Sequence, residues 1–358
     1  MITLSLCMIV KNEEETLARC LDSIKDAVDE IIIADTGSTD STVEIAKSYT
    51  DKVYHFDWIY DFSAARNFSF SKASSDYCMW LDADDIIEKN DLLLLKKLKK
   101  ELSTDTDIVM MPYNTSFDKF GNVIFSYYRE RIIKNNPAYK WSGKVHEAIT
   151  PIGNVIYYDA AVTHKKEKAP DTDRNLKIYE KMLEKKEFFS PRDKFYYARE
   201  LYYHKRFDEA ISAFTDFLSE KSAWIENKID ACLILADCYI EKKDSVSAIS
   251  ALSESLTFDA PRAEICCKIG EIMLDNKNYL GAIFWFKSAL NSDEHKKSGG
   301  FSLPDCRGFL PAIWLSVCYD RLSEYKKACE YNNLALSFKP QSEAALSNKR
   351  YFESIGYK

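Results

Sequence analysis

The sequence predicts two unlike halves: an α/β domain built on a mainly parallel sheet, then an all-α array of helical repeats. Three observations carry this. Up to about residue 165, short apolar runs alternate with amphipathic segments at strand and helix lengths. From about residue 175 the strand-like runs vanish. In their place, helical segments self-align around small residues at a spacing close to that of a two-helix repeat.

The elements follow in order. Ile2–Val10 is mostly apolar and reads as a buried strand. Glu14–Ile24 is an amphipathic helix with Leu17, Leu21 and Ile24 on one face. Glu30–Ala34 is a second buried strand, and Ser38–Thr50 opens with capping residues and carries Val43, Ile45 and Ala46 inward. Lys52–Phe56 is a short third strand, Phe62–Ala73 a helix, and Tyr77–Leu81 the central strand. Ile108–Tyr113 and Val123–Ile133 read as antiparallel partners joined by the turn Asp118-Lys119-Phe120-Gly121-Asn122. Leu92–Lys100 is short and reads as a core helix with a charged outer side, the alternative being a membrane-surface helix.

In the second half, Ala210, Ala248, Ala282 and Ala328 occupy equivalent positions in the second helix of each pair, 38, 34 and 46 residues apart. Ala198, Ala236, Gly270 and Ser316 each stand twelve residues earlier. This resembles tetratricopeptide repeats, in which paired helices stack through small residues. The 46-residue step holds a loop insertion running to Gly308, and the competing reading is a generic helical bundle. The Phe195-Tyr196-Tyr197 and Tyr202-Tyr203 groups read as repeat core, with an acceptor groove as the alternative. The expected boundaries are 1–168 for the α/β domain, 169–190 for a connecting helical segment, 191–342 for the repeats and 343–358 for a capping helix.

Composition narrows the function classes. A net charge of −7 argues against a general nucleic-acid surface. No apolar run approaches the roughly 20 residues needed to span a bilayer, and the first residues lack a basic n-region and cleavage site. Ten cysteines lie among apolar residues without a C-x-x-C pair, as expected of small buried hydrophobes in a reducing compartment. The expected location is the cytoplasm.

Chemistry concentrates at strand ends. Leu81 to Asp85 read L-D-A-D-D directly after the apolar run Tyr77–Trp80. Like charges repel and burial penalises each carboxylate, so such a cluster calls for a hard divalent cation. Read alone, the run also suits a helix cap supplied by Asp84 or Asp85. The second strand ends in Asp35-Thr36-Gly37-Ser38-Thr39-Asp40, where Gly37 allows close backbone approach; a plain strand–helix turn is the alternative. The first strand ends in Val10-Lys11-Asn12-Glu13, with Asn12 as a helix cap in the alternative reading. In a parallel sheet these three ends share one edge, which suits a phosphorylated ligand.

As a set, K-N-E, A-D-T-G-S-T-D, F-S-A-A-R-N and W-L-D-A-D-D resemble the inverting family 2 glycosyltransferases of the GT-A fold, over about residues 3–165. W-S-G-K-V-H-E, Trp141 to Glu147, is similar to a subgroup that includes lipopolysaccharide-core glycosyltransferases and the sublancin-type S-glycosyltransferase. The latter also joins such a domain to helical repeats.

The resemblance implies that Asp35 binds uracil of a UDP-sugar and that Val10, Lys11, Asn12 and Glu13 line the nucleoside pocket with Gly37 and Ser38. Lys11 departs from the family's frequent aromatic. Arg66 and Asn67 would hold the diphosphate or sugar, and Asp82, Ala83 and Asp84 form the D-x-D segment. Asp84 would bind Mn²⁺ or Mg²⁺, with Asp82 nearer the ribose or sugar and also a metal candidate, and His164 is a further ligand candidate beside the alternative of a surface histidine next to Lys165 and Lys166. Glu147 would be the general base, with His146 beside it, although H-E replaces the family's usual E-D pair. Trp141, Arg131 and Asp85 are acceptor-side candidates, Asp85 alternatively an acid supporting the metal ligands from behind, and Arg131 and Lys134 face either phosphate or solvent.

The expected function is metal-dependent inverting transfer from a UDP-sugar to a peptide or protein side chain (Cys, Ser or Thr). A cell-envelope saccharide or lipid-linked acceptor is the alternative within the class, and the helical half offers a surface for a homodimer. Two other classes compete: a non-catalytic repeat scaffold with a relic sugar-nucleotide domain, and a nucleotidyltransferase, which would carry a Gly- and Arg-rich phosphate loop that K-N-E-E-E-T lacks.

Overall fold

The structure, a computed structural model, describes residues 1–117, 121, 123–165, 173–292 and 303–357. Most of the expected turn at 118–122 and much of the loop insertion at 295–308 lie outside the described residues, as does Lys166. The chain divides into two compact units, Met1–Phe188 and Phe189–Lys358.

The first unit runs β1 (Leu4–Val10), α1 (Leu17–Ile24), β2 (Glu30–Asp35), α2 (Thr42–Lys47), β3 (Val53–His55), α3 (Phe62–Phe70) and β4 (Tyr77–Trp80). There follow β5 (Asp85–Ile86), α4 (Lys89–Glu101), β6 (Ile108–Phe117), β7 (Val123–Lys134), β8 (Val155–Tyr157), β9 (Val162–His164) and α5 (Arg174–Glu184). The sheet order is β3-β2-β1-β4-β7-β6-β9-β5, with β8 also paired to β6. β1 to β4 are mutually parallel, so their carboxyl ends meet at one edge. β7 then enters antiparallel to both β4 and β6, making the whole sheet mixed. The parallel half was legible because it is joined by helices. The added half is joined by a hairpin and loops, which periodicity alone does not orient.

Alternation explains the core. Leu4, Leu6 and Met8 of β1 are fully buried against Leu17, Leu21 and Ile24 of α1. Each such side chain contributes about 1.5–3 kcal/mol by leaving water. α1 starts later than the expected Glu14, because Glu13 to Thr16 form a turn closed by Thr16 N–H to Glu13 O at 3.1 Å. α4 buries Leu95 and Leu98 and leaves Leu93 exposed. Its cap position is Glu88, so neither Asp84 nor Asp85 caps it.

The second unit is helical: α6 (Pro191–Tyr203), α7 (Phe207–Leu218), α8 (Ile225–Glu241), α9 (Ser245–Glu254), α10 (Ala263–Asp275), α11 (Tyr279–Leu290), α12 (Phe309–Arg321), α13 (Tyr325–Phe338) and α14 (Glu343–Ser354). Four helix pairs stack as tetratricopeptide-like repeats. Ala210, Ala248, Ala282 and Ala328 are all fully buried in the second helix of their pairs, as the self-alignment expects. Each pair turns on a left-handed residue five positions before that alanine: Lys205, Lys243, Lys277 and Ser323, with φ between 58° and 61°.

In the third pair the small residue is a glycine. A Cβ on Gly270 of α10 would lie 2.6–2.9 Å from three ring atoms of Phe286, which is fully buried on α11. Gly270→Ala is expected to cost about 1–2 kcal/mol, overpacking outweighing alanine's better helix propensity. A chemical denaturation midpoint followed by circular dichroism reads this; an unchanged or raised midpoint would show that Phe286 gives way freely.

Candidate active site

The carboxyl edge of β1–β4 collects the loops singled out in the sequence. Val10 is buried, but its carbonyl accepts from the Thr36 backbone N–H at 2.9 Å and hydroxyl at 3.0 Å. Asn12 adopts φ 54°, a conformation asparagine tolerates better than most residues. Its N–H donates to Ser38 Oγ at 2.9 Å, and its Oδ1 accepts from Thr39 N–H at 2.8 Å. Glu13 N–H donates to Thr42 Oγ1 at 2.7 Å. The two motifs are thus one laced pocket wall, with Lys11 exposed at its rim.

Asp35 sits at the end of β2 as a buried carboxylate. Its oxygens accept from the backbone N–H groups of Gly37 at 3.1 Å and Ser38 at 3.1 and 3.2 Å. Gly37 has φ 100°, a conformation that L side chains rarely adopt, so glycine is required for this turn. His55, at the end of β3, brings Nδ1 to 3.8 Å from Asp35 Oδ2. Sequence reasoning missed it; the signal was its position at a third strand end.

Beyond β4 lies a second cluster. Asp82 Oδ1 accepts from Arg66 Nη2 at 2.7 Å, and Glu147 Oε1 accepts from Arg66 Nε at 2.6 Å. Arg66 comes from α3 and is only 6% exposed, so one guanidinium ties the acidic strand end to the V-H-E loop. Burial alone would raise the Asp82 carboxyl, but Arg66, with Arg131 and Arg129 further off, brings it down to about 2. Burial also raises Asp84, and Asp82, Asp85 and Glu13 add to this; against the pull of His164, it is pushed up to about 6.

Asp85 behaves differently from its neighbours. It is fully buried, and Oδ2 accepts from Asp82 N–H at 3.1 Å and Arg131 Nη1 at 3.2 Å. Oδ1 accepts from the Tyr113 hydroxyl at 2.8 Å. Antiparallel pairing of β5 with β9 sets Asp85 opposite His164. His164 Nδ1 stands 3.4 Å from Asp84 Oδ1 and 3.3 Å from Asp85 Oδ1. The hydrogen bond to Asp85, reinforced by the charges of Asp84 and Asp82, raises this imidazole above its ordinary value. Burial and Asp85 hold the Tyr113 phenol far above its usual range, so it keeps its proton.

Trp80 anchors the cationic side of the cluster. Its ring meets three guanidiniums, those of Arg131 at 3.8 Å, Arg66 at 4.7 Å and Arg129 at 4.9 Å from the centroid. Arg131 Nε and Nη2 have no hydrogen-bond partner, and stacking on Trp80 and on Tyr113 partly replaces one. Arg129 pairs with buried Glu130 and also donates to the Glu147 carbonyl at 3.3 Å.

Several expectations change. Asp85 and Arg131 are each 0% exposed and paired with one another, so neither reaches an acceptor. Trp141 is 3% exposed, packed edge-on against Trp80 and Phe70, and likewise cannot touch one. Asn67 was expected at the diphosphate, but its carboxamide is occupied by the Trp141 backbone, donating to O at 3.0 Å and accepting from N–H at 2.9 Å. Its task is to fix the W-S-G-K-V-H-E loop. Asp82 is turned to Arg66, whereas the groups with ligand atoms within 4.8 Å of one another are Asp84, Asp85 and His164. Ala83 is buried. Lys134 donates to the Thr104 carbonyl at 2.7 Å, away from the acidic cluster.

The V-H-E loop itself is a tight turn. Ser142 and Ala148 exchange two backbone hydrogen bonds of 3.1 Å. Gly143 at φ 92° and His146 at φ 51° bend the chain between them. This holds Glu147 inward, on Arg66, with His146 half-buried beside it.

Oxygen donors with one imidazole suit a hard divalent cation such as Mn²⁺ or Mg²⁺. Five carboxylates (Asp82, Asp84, Asp85, Glu130, Glu147) here face three guanidiniums, and Asp84 is the one without a cationic side-chain partner other than His164. That residual negative charge fits a metal ion.

Residues 5–161 match the family model described as Glycosyl transferase family 2, so the first unit carries a domain of that family. Among curated relatives, a TPR repeat-containing protein of Synechococcus elongatus is 38% identical over 149 residues, covering 42% of this chain and 36% of its own. The SPbeta prophage-derived glycosyltransferase SunS of Bacillus subtilis is 28% identical over 259 residues, 68% of this chain and 60% of its own. The lipopolysaccharide core biosynthesis glycosyltransferase LpsC of Rhizobium meliloti is 30% identical over 165 residues, 43% of this chain and 59% of its own. The chain thus spans between about a third and 60% of the length of these relatives. No helix among the described residues is long and apolar enough to cross a membrane.

Proposed function

We propose that the protein is a metal-dependent, inverting glycosyltransferase that moves a sugar from a UDP-sugar to a peptide or protein side chain. The observation that carries it is the joining of two carboxylate sites through Arg66. An acid-rich strand end suited to a cation and a carboxylate suited to deprotonating an acceptor are held by one buried guanidinium. Asp35 and the laced Asn12–Ser38 wall would receive the nucleoside, Asp35 accepting from the base. Asp84 and His164 would hold the cation. When bound, it would neutralise the donor diphosphate and so ease departure of UDP.

Glu147 would take the proton of the attacking hydroxyl or thiol from the side opposite the leaving group. Arg66 fixes its orientation, and the Gly143–His146 bend presents it at the loop's inner side. A peptide acceptor is supported by the likeness to sublancin-type enzymes, together with the SunS similarity. The latter covers 68% of the chain, more than the first unit contains, and so reaches into the helical repeats. LpsC favours a saccharide acceptor as the second reading.

The test is nucleotide release from a panel of UDP-, GDP- and TDP-sugars with Mn²⁺ or Mg²⁺, repeated with EDTA. Release from one UDP-sugar, abolished by EDTA, is expected. Absence of both turnover and UDP binding would favour the repeat scaffold. Glu147→Gln is expected to lower transfer by about 100-fold or more, within the usual range for a general base, while leaving UDP-sugar affinity within a few-fold. An unaffected rate would assign the base elsewhere.

A further inference from the structure

The acidic cluster contains a hydrogen-bond chain, from Asp85 through Tyr113, that ends on Nδ1 of His164. Tyr113 lies on β6, His164 on β9 and Asp85 on β5, three strands joined in a row. Parallel pairing sets Tyr113 beside Val162 and Asn114 beside Thr163, and antiparallel pairing sets Asp85 against His164. The Tyr113 ring is 7% exposed, packed edge-on against His164 and Tyr127 and against the face of Arg131.

The protons can be assigned by counting donors. Asp85 accepts from Asp82 N–H and Arg131 on one oxygen and from Tyr113 on the other. The Tyr113 hydroxyl has a single hydrogen, and the 2.8 Å contact with Asp85 Oδ1 uses it. Tyr113 Oη can then only accept from His164 Nδ1, 3.0 Å away. Asp85 Oδ1 and Asp84 Oδ1 lie 3.3 and 3.4 Å from the same nitrogen. A bare Nδ1 lone pair would face three oxygens, whereas an Nδ1–H donates to the nearest, Tyr113 Oη, and turns its positive end toward the two carboxylates.

We infer that Tyr113 and Asp85 act together as positioning residues that hold His164 with its proton on Nδ1, so that Nε2 is the atom it offers to a divalent cation shared with Asp84. Asp85 is then no ligand. Its oxygens are already occupied by three donors and one imidazole, and Arg131 balances its charge. This follows the general pattern in which a ligating imidazole donates its other N–H to an oxygen behind it. It deepens the cation-dependent reading above and rests on it only for the identity of the ligand.

Two readouts test it on the full chain. Long-range ¹H–¹⁵N correlation on ¹⁵N-histidine-labelled protein, at a pH where the imidazole is neutral, should show His164 as the Nδ1–H form, its signals identified by their loss in His164→Gln. Titration with Mn²⁺ alone, followed by electron paramagnetic resonance, should show affinity falling about 10–100-fold in Tyr113→Phe. That variant removes one hydroxyl and keeps the ring packing. Asp85→Asn should also weaken binding. An Nε2–H form of His164, or unchanged Mn²⁺ affinity in Tyr113→Phe, would overturn the inference. Neither readout needs a sugar nucleotide. Mn²⁺ bound through His164 with neither turnover on any donor nor UDP binding would therefore sink the proposed activity and leave this inference standing.

Discussion

Replacing Arg66 by alanine is expected to remove nearly all transfer activity and about 2–4 kcal/mol of stability, taking the usual cost of breaking a buried pair and discounting for the partly exposed Asp82. Both effects have one cause. The guanidinium donates to Asp82 and to Glu147 through different nitrogens, so its loss leaves two carboxylates uncompensated at once. It also leaves a void between Trp80 and Trp141, over whose rings the guanidinium lies at 4.7 and 5.0 Å. Arg66→Lys should recover part of the stability but little of the activity, because a single ammonium cannot bridge both partners with a planar fork. Denaturant titration and initial rates on the same preparations separate the two effects. An alanine variant that keeps wild-type stability and rate would mean that Arg66 does not couple the sites.

The second large effect has the opposite sign pattern. Asp84→Ala is expected to reduce metal-dependent turnover by more than about 100-fold, since loss of outer partners alone costs 10–100-fold. Stability should hold or rise slightly. Asp84 has like charges on Asp82 and Asp85 beside it, with His164 as its one cationic contact, so truncation relieves repulsion. Asp84→Asn should behave similarly, retaining shape without charge. Retained turnover in either variant would overturn the assignment of Asp84 to the cation. A large drop in stability would instead make it a structural carboxylate.

The sequence made the parallel half of the sheet legible because β1, β2 and β4 are built on apolar runs and each crossover is a helix. It made the strand-end motifs legible because parallel strands put their carboxyl ends together. It did not reveal Tyr113, Arg129 or Glu130, which sit inside two long strands among other aromatic and charged residues. Only the register of β6 with β7 and β9 brings them to the cluster. Arg131 and Asp85 look solvent-ready in sequence, yet they form a fully buried pair whose isolation depends on Trp80 and Tyr113 closing over it. Asn67 misled for a related reason. A polar residue beside a site arginine was read as a second contact with substrate, when the backbone of a distant loop already satisfied it. The repeats were legible because small residues at helix crossings recur with the period, and those positions are buried by geometry.

The way β6 is shared has a consequence for descent. β8 pairs with Ile108–Met110 of β6 and β9 with Tyr113–Asn114, each held by its own register, while β5 pairs only with β9. The Asp85–His164 pair therefore inherits its alignment from two short bridges rather than from the length of chain leading up to them. Loops between β7 and β9 can lengthen, shorten or be exchanged without moving His164 off Asp85. Under the proposed reading, a lineage can change what receives the sugar while leaving the machinery that activates the donor in place. Two relatives with quite different acceptors would then still share the same few residues along β5 and β9.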